Sequence, residues 1–217
     1  MLKFFIQLLI QNMHPGFPVI ISAPSGTGKS TICRRLLQRD KNLRASISCT
    51  TRFPRKGEKN GVDYHFMGVE EFKKRIHRNE FLEWAVVHDH YYGTPRRYLD
   101  ENIAAGRVVL LAIDVQGANA IRKRMPAVTV FIIPPSWRSL EERLNNRQQD
   151  PVDSVYKRLS NAPAELNQAR HYDYLVVNDS LDEAVENIEA IIQAEKLRIS
   201  RQDLSAFSLA LGSGRKP

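Results

Sequence analysis

Apolar residues between Phe17 and Arg198 follow two rhythms. Four short runs are apolar almost without a break: "FPVIISA" (17–23), "RVVLLAID" (107–114), "VTVFIIPP" (128–135) and "YDYLVVND" (172–179). Runs of this kind, rich in Val and Ile, predict strands buried on both faces, as in a parallel sheet. Between them the apolar residues recur every three or four positions. Ile32, Leu36 and Leu37 do so in "STICRRLLQRD" (30–40), and "QGANAIRKRM" (116–125) and "SLEERLNN" (139–146) read the same way. Along 181–198, Val185, Ile188, Ile191, Ile192 and Ala194 fall on one side of a helix. Strand alternating with helix predicts an α/β fold, a parallel sheet covered by helices on both faces.

Two segments interrupt this rhythm. Residues 48–92 hold "TTRFPRKGEKNGVDYHF" (50–66), an amphipathic helix around Phe72 and Ile76, and the strand-like "EFLEWAVVH" (80–88). They predict a small α+β insertion. Residues 136–170 are helical and basic, broken by "QQDP" (148–151), and suit a mobile lid better than a core layer. The core is then assembled from 17–47, 93–135 and 171–205, which fits one domain for a chain of 217 residues. Residues 1–16 read as an N-terminal extension, with Met13 an alternative start, and 206–217 as a frayed tail. The apolar part of "MLKFFIQLLIQNM" is far shorter than the roughly 20 residues of a membrane span. No small-residue cleavage site follows it, which argues against a signal peptide.

Charge changes the picture little. Lys and Arg number 32 against 24 Asp and Glu, a net charge of +8, but the basic residues are spread over the whole chain. The densest knots, "RRLLQRDK" (34–41) and "IRKRM" (121–125), lie on helical segments. Such a distribution reads as solvated surface, or as a field attracting polyphosphates, rather than a nucleic-acid footprint. Cys33 and Cys49 are too few for a disulfide framework, so a reduced, cytoplasmic setting is expected. His65, His88, His90 and His171 lack metal-ligand spacing, and Trp84 and Trp137 read as packing residues. Glu70 and Glu71 open a helix, where acidic groups suit the dipole.

The chemistry begins at "SAPSGTGKST" (22–31), a phosphate loop between a strand and a helix. Backbone N–H groups over Ser25, Gly26, Thr27 and Gly28 and the following helix N-terminus would converge on phosphate oxygens. Lys29 reaches the outer phosphates, Ser30 can ligate magnesium, and Thr31 closes the motif. Ala23 stands where the pattern has its first glycine, which is tolerable if its φ is negative. The chain has no N-K-x-D base-reading motif, since "VVND" is not one, and no L-S-G-G-Q signature. That leaves a kinase of a small molecule, which needs a second anion site. Arg52 and Arg55, three apart around Pro54, offer two guanidinium forks for one phosphate, and Tyr64 and Tyr92 could add hydroxyl donors.

The set "SAPSGTGKST", "SISCTTRFPRKGE", "NGVDYHF", "FLEWA", "YYGT", "IDVQGA", "IPPS" and "YDYLVVND", in this order and spacing, resembles the guanylate kinase family over roughly 17–201. The resemblance implies a nucleoside-monophosphate kinase fold with core, insertion and lid. It also implies transfer of the γ-phosphate of ATP to GMP or dGMP, with Mg2+. Carried over by position, Arg52, Arg55, Tyr64 and Tyr92 match the holders of the GMP phosphate. Ser48, Glu83, Thr94 and Asp114 match residues that address guanine. Arg147 and Arg158 match lid arginines over the transferring phosphoryl, and Asn178 falls at the ATP side. A carboxylate such as Glu83 can accept from guanine N1–H and N2–H together, while a Ser48 or Thr94 hydroxyl can donate to O6.

Three positions depart from the family pattern. Ala23 replaces the first loop glycine. Ala112 stands where many relatives carry an aspartate two before Asp114, on what reads as one strand face. "NNRQQD" (145–150) lacks the glycines usual around Arg147. A non-catalytic guanylate-kinase-like phosphopeptide-binding module, or a same-fold kinase of another monophosphate, remains the alternative. Nucleic-acid and membrane partners are not expected, and the chain could be a monomer or a small homo-oligomer.

Overall fold

The computed structural model describes residues 15–87, 89–145 and 152–202. The N-terminal extension up to residue 14, the tail from 203 onward, His88 and Arg147 lie outside the described residues. No helix among those described is long and apolar enough to cross a membrane.

Five parallel strands form the main sheet: β1 (Pro18–Ser22), β2 (Leu43–Ala45), β7 (Val108–Ala112), β8 (Val128–Ile133) and β9 (Tyr174–Val177). Their order across the sheet is β2-β7-β1-β8-β9. The four apolar runs are β1, β7, β8 and β9, with β1 central and buried at all five positions, but β9, at the sheet edge, leaves Leu175 and Val177 exposed instead of burying both faces. Alternation along β1 feeds two cores. Val19 and Ile21 pack with Ile32 and Leu36 of α1 (Lys29–Arg39) and with Val185, Ile188 and Ile192 of the long C-terminal helix Leu181–Leu197. Ile20 faces the other side, onto Leu99 of α3 (Arg96–Ala104) and Ala118 and Ile121 of α4 (Val115–Arg122). An unbroken apolar strand thus serves two faces at once.

A second sheet, ordered β4-β3-β6-β5, holds β3 (Cys49–Thr50), β4 (His65–Phe66), β5 (Phe81–Val87) and β6 (His90–Pro95). β5 and β6 pair antiparallel with Glu83 opposite Thr94. Helix α2 (Val69–His77), with Glu70 and Glu71 in its first turn, covers this sheet through Phe72. The Phe72 ring stacks on Phe81 with centroids 4.5 Å apart. Two further helices, α5 (Trp137–Asn145) and α6 (Val152–Asn167), meet through Leu140, Leu144 and Ala162. The C-terminal helix Leu181–Leu197 is α7.

Trp84 and Trp137 differ from expectation, remaining 46% and 43% exposed. Trp84 alternates outward on β5, one position past the buried Glu83, and Trp137 opens α5, where its indole N–H donates to Glu141 at 2.6 Å. On an edge strand Trp84 meets only the Tyr91 ring, 6.0 Å away between centroids, and on a helix first turn Trp137 keeps one side open to solvent.

The small core of the second sheet rests on few side chains, so it is where truncation should be felt most locally. Phe72→Ala should destabilise it by about 3–5 kcal/mol. Amide exchange should accelerate across β3, β5 and β6 while the protection of β1, β7 and β8 stays unchanged.

Candidate active site

The site grows from the turn after β1. Gly26 and Gly28 adopt φ of 91° and 99°, a region that side chains disfavour, and they bend residues 23–28 around a concave backbone. Ala23 keeps a negative φ, since the only described non-glycine residues with positive φ are Asn79 and Asp89. Gly28 ends the loop as the N-cap of α1, with no side-chain cap and no acidic residue in the first turn. The N–H groups of that turn are therefore left to an anion. Lys29 Nζ donates to the Ile113 carbonyl at 2.8 Å. Removal from water lowers the Lys29 pKa, opposed by the negative charges of Asp114 and Glu165.

The loop is braced from behind. Asn178, which the resemblance assigned to ATP, is buried, and its Nδ2 donates to the Thr27 carbonyl at 2.6 Å. A Cβ on Gly28 would lie 2.5 Å from the same Nδ2. Arg143 of α5 donates to the Thr27 carbonyl at 3.4 Å and to the Asn178 carbonyl at 3.0 Å. Arg143 was missed because nothing in "SLEERLNN" separates it from a solvated helix face.

Across a cavity of about 450 Å3, residues 23–30 face Ser48, Arg52, Arg55, Tyr64, Glu83 and Tyr92, with Asp114 and, from α6, Arg158 and Glu165 also in its wall. Thr31 is exposed on α1 and lies outside this wall. Arg52 Nε donates to the Tyr92 hydroxyl at 3.3 Å, and its guanidinium carbon sits 5.4 Å from the Tyr64 ring centroid. Burial raises the Tyr64 pKa, so its hydroxyl keeps its proton. Glu58, not singled out from the sequence, accepts from Arg52 Nη2 at 2.9 Å and from the Arg55 amide at 2.7 Å. Burial pushes the Glu58 carboxyl upward, but those bonds outweigh it and hold it below the ordinary value. Its place at the end of "TTRFPRKGE" was the available signal.

Glu83 is 4% exposed. Its Oε1 accepts from the Thr94 hydroxyl at 2.6 Å, and Arg124 donates to the Leu82 carbonyl beside it. Thr94 is itself fully buried and does not line the cavity, so its proton is committed to Glu83 rather than available for a ligand's oxygen. Asp114 also differs from expectation. β7 ends at Ala112, and Asp114 is the N-cap of α4, where one oxygen accepts from Gln116 N at 2.7 Å and Gly117 N at 2.9 Å. Ala112 packs toward α1 with the Val19 and Ile21 core, and Ile113 faces the opposite core before the chain turns into α4.

The comparisons agree with this geometry. The sequence profile of the guanylate kinase family matches residues 16–195. This chain belongs to the guanylate kinase family. It is 47% identical over 187 residues to a guanylate kinase of Caldanaerobacter subterraneus subsp. tengcongensis, covering 86% of this chain and 91% of that one. It is 45% identical to that of Symbiobacterium thermophilum, covering 94% and 97%. The crystal structure of guanylate kinase from Anaplasma phagocytophilum superposes with a TM-score of 0.77 at 34% identity, covering 94% and 96%. The chain is thus an enzyme of the nucleoside monophosphate kinase kind, with the phosphate-loop kinase fold.

Glu83 gives the site a measurable pH signature. Burial pushes its carboxyl up to about 7, against the Thr94 bond, which pulls it down. Between the ordinary 4.5 and about 7 the folded chain holds a proton there that the unfolded chain has released. Its contribution to stability should therefore fall as pH rises through that window. Urea titrations of wild type and Glu83→Gln should show a stability difference that shifts against the wild type between pH 5 and 8. A difference independent of pH would mean that Glu83 titrates normally.

Proposed function

We infer that the enzyme transfers the γ-phosphoryl group of ATP to GMP or dGMP, giving ADP and GDP or dGDP. One observation carries this reading: a single cavity has an uncapped phosphate loop with Lys29 at one end, and Arg52, Arg55, two tyrosines and a buried carboxylate at the other. Ser25, Gly26, Thr27, Gly28, Lys29 and Ser30 hold the ATP phosphates, and Asn178 keeps their loop in shape. Arg52, Arg55, Tyr64 and Tyr92 grip the acceptor phosphate. Glu83 accepts from guanine N1–H and N2–H, and Ser48, in the cavity wall, is placed to donate to O6.

An oxygen of the acceptor phosphate attacks the γ-phosphorus, and the bond to the bridging oxygen breaks to leave ADP. The acceptor oxygen is already a nucleophile, so no general base is required. The rate comes from alignment and from stabilising charge on the transferring group. Lys29 serves that charge from the loop and Arg158 from α6. Among the described residues no group of three or more His, Cys, Asp or Glu could hold a metal by itself. That suits Mg2+, which keeps its waters and binds mainly through substrate phosphates. The Ser30 hydroxyl, in the cavity wall, is the protein oxygen suited to it, and the ion would supply positive charge at the phosphates.

The reaction is tested by coupling ADP release to each of GMP, dGMP, AMP, UMP and CMP. GMP and dGMP should dominate, and sites built on such hydrogen bonds discriminate by up to about 10⁴-fold against analogues without the partner. Glu83→Gln sets an N–H against guanine donors, so it should cut kcat/KM for GMP and narrow the preference over AMP. An unaltered GMP-to-AMP ratio would place base selection elsewhere. Arg55→Lys should raise the KM for GMP more than that for ATP, because an ammonium cannot form the bidentate fork. Equal losses for both nucleotides would mark Arg55 as a structural residue.

A further inference from the structure

We propose that Gly117 is a specificity-determining residue, acting by leaving the Glu83 carboxylate the space in which it reads a purine's 2-amino group. The inference rests on the assignment of Glu83 to guanine above. Gly117 is the third residue of α4 and lines the cavity. Its φ lies in the range any residue adopts, so backbone shape does not call for glycine. Helix propensity opposes it, since glycine is among the poorest helix formers.

Space explains it instead. A Cβ at Gly117 would lie 3.1 Å from Glu83 Oε2, 3.2 Å from Cδ and 3.4 Å from Oε1. The carboxylate therefore rests against the bare backbone of the α4 first turn. It has little room to retreat, because Thr94 holds Oε1 at 2.6 Å and Arg124 holds the Leu82 carbonyl next to it. Helix α4 is equally fixed there, its Gly117 N–H donating to Asp114 at 2.9 Å. With Thr94 on one edge and α4 on another, a methyl group would drive the carboxylate toward the cavity, where the base edge belongs.

A carboxylate that reads N1–H and N2–H together must present both oxygens in plane at hydrogen-bond distance. A displacement of a few tenths of an ångström toward the base spoils that paired contact. A single N1–H bond tolerates it better, because one contact can tilt. Gly117 thus governs preference for GMP over IMP, which has N1–H but no 2-amino group, without touching the ATP end of the cavity.

The test is Gly117→Ala, assayed with GMP, IMP and ATP beside a thermal melt. The KM for GMP should rise by about tenfold or more, and the GMP-to-IMP ratio of kcat/KM should fall by a similar factor. The KM for ATP should stay within about threefold, and Tm should hold or rise as alanine favours the helix. In a Glu83→Gln background the same substitution should cost GMP little more, because the two residues act through one contact. An unchanged GMP KM and GMP-to-IMP ratio would overturn the proposal. So would a lower Tm with equal losses for both nucleotides, which would make Gly117 a packing residue. A wild-type enzyme inactive on GMP would refute the assigned reaction, an outcome visible before any variant is made.

Discussion

The parallel register of β1 against β7 and β8 is the constraint on which the site depends. Ile21 lies opposite Ala112 and Ser22 opposite Phe131, while β8 carries Val177 of β9 opposite Ile133. All the strands run the same way, so their carboxyl ends reach one edge together and their loops must share it. Lys29 can therefore reach the carbonyl of Ile113, just past β7, and Asn178, just past β9, can brace Thr27. A slip of one residue would exchange the side chains that β1 gives to its two cores and break both contacts. Two helices that begin beside the cavity are then treated differently. Asp114 caps α4, whereas α1 starts without a side-chain cap, so anion affinity is concentrated at one helix end.

The second sheet brings the opposite requirement, a carboxylate kept dry. Glu83 sits between Thr94 and the backbone of α4, and loss of water is what raises its pKa. A buried acceptor of this kind is costly until donors meet it, which is what makes it selective. On the proposed reading, guanine would bring it two donors, where adenine would bring an acceptor at the same edge. Arg52 illustrates the complementary device. Its fork is already oriented by Glu58, Tyr92 and the Phe53 carbonyl, so less side-chain freedom is lost when a phosphate arrives.

Elements were legible where burial was complete. β1, β7 and β8 announce themselves because both faces are apolar, and α1 and α7 because one face is. β2 was not legible, being a three-residue edge strand with only Leu43 buried. Helix α3 was hidden too, since Leu99 is its one fully buried apolar residue and a polar Asn102 occupies the next inward position. At the site, residues that meet a ligand directly were readable by chemical type and spacing. Those that act through another residue were not. Thr94, Asn178 and Asp114 each carry groups suited to a nucleotide, and each commits hydrogen bonds to the protein's own frame. Local sequence holds no signal that the Thr94 hydroxyl will pair 11 residues back with Glu83, or the Asn178 amide 151 residues back with Thr27.

Ala112 bears on how the cavity balances its charge. Its methyl adds to the apolar layer under α1, so Lys29 has no carboxylate from β7 itself. The carboxylates that act on its ammonium are Asp114, which is engaged in capping α4, and Glu165, which belongs to α6. Glu165 lines the same cavity as Ser25 and lies within the influence of Arg158. The countercharge for the loop therefore comes in part from the helix that also carries Arg158 into the cavity wall. On the proposed assignment, phosphates in the loop would take the place of Glu165 beside Lys29 and would attract Arg158. Exchange of one anion for another costs less than uncovering a buried cation, because no charge is left unpaired on the way. Helix α6 and the loop thus share charges, with Glu165 acting on Lys29 and Arg158 acting on Glu165, and β7 contributes no carboxylate at Ala112.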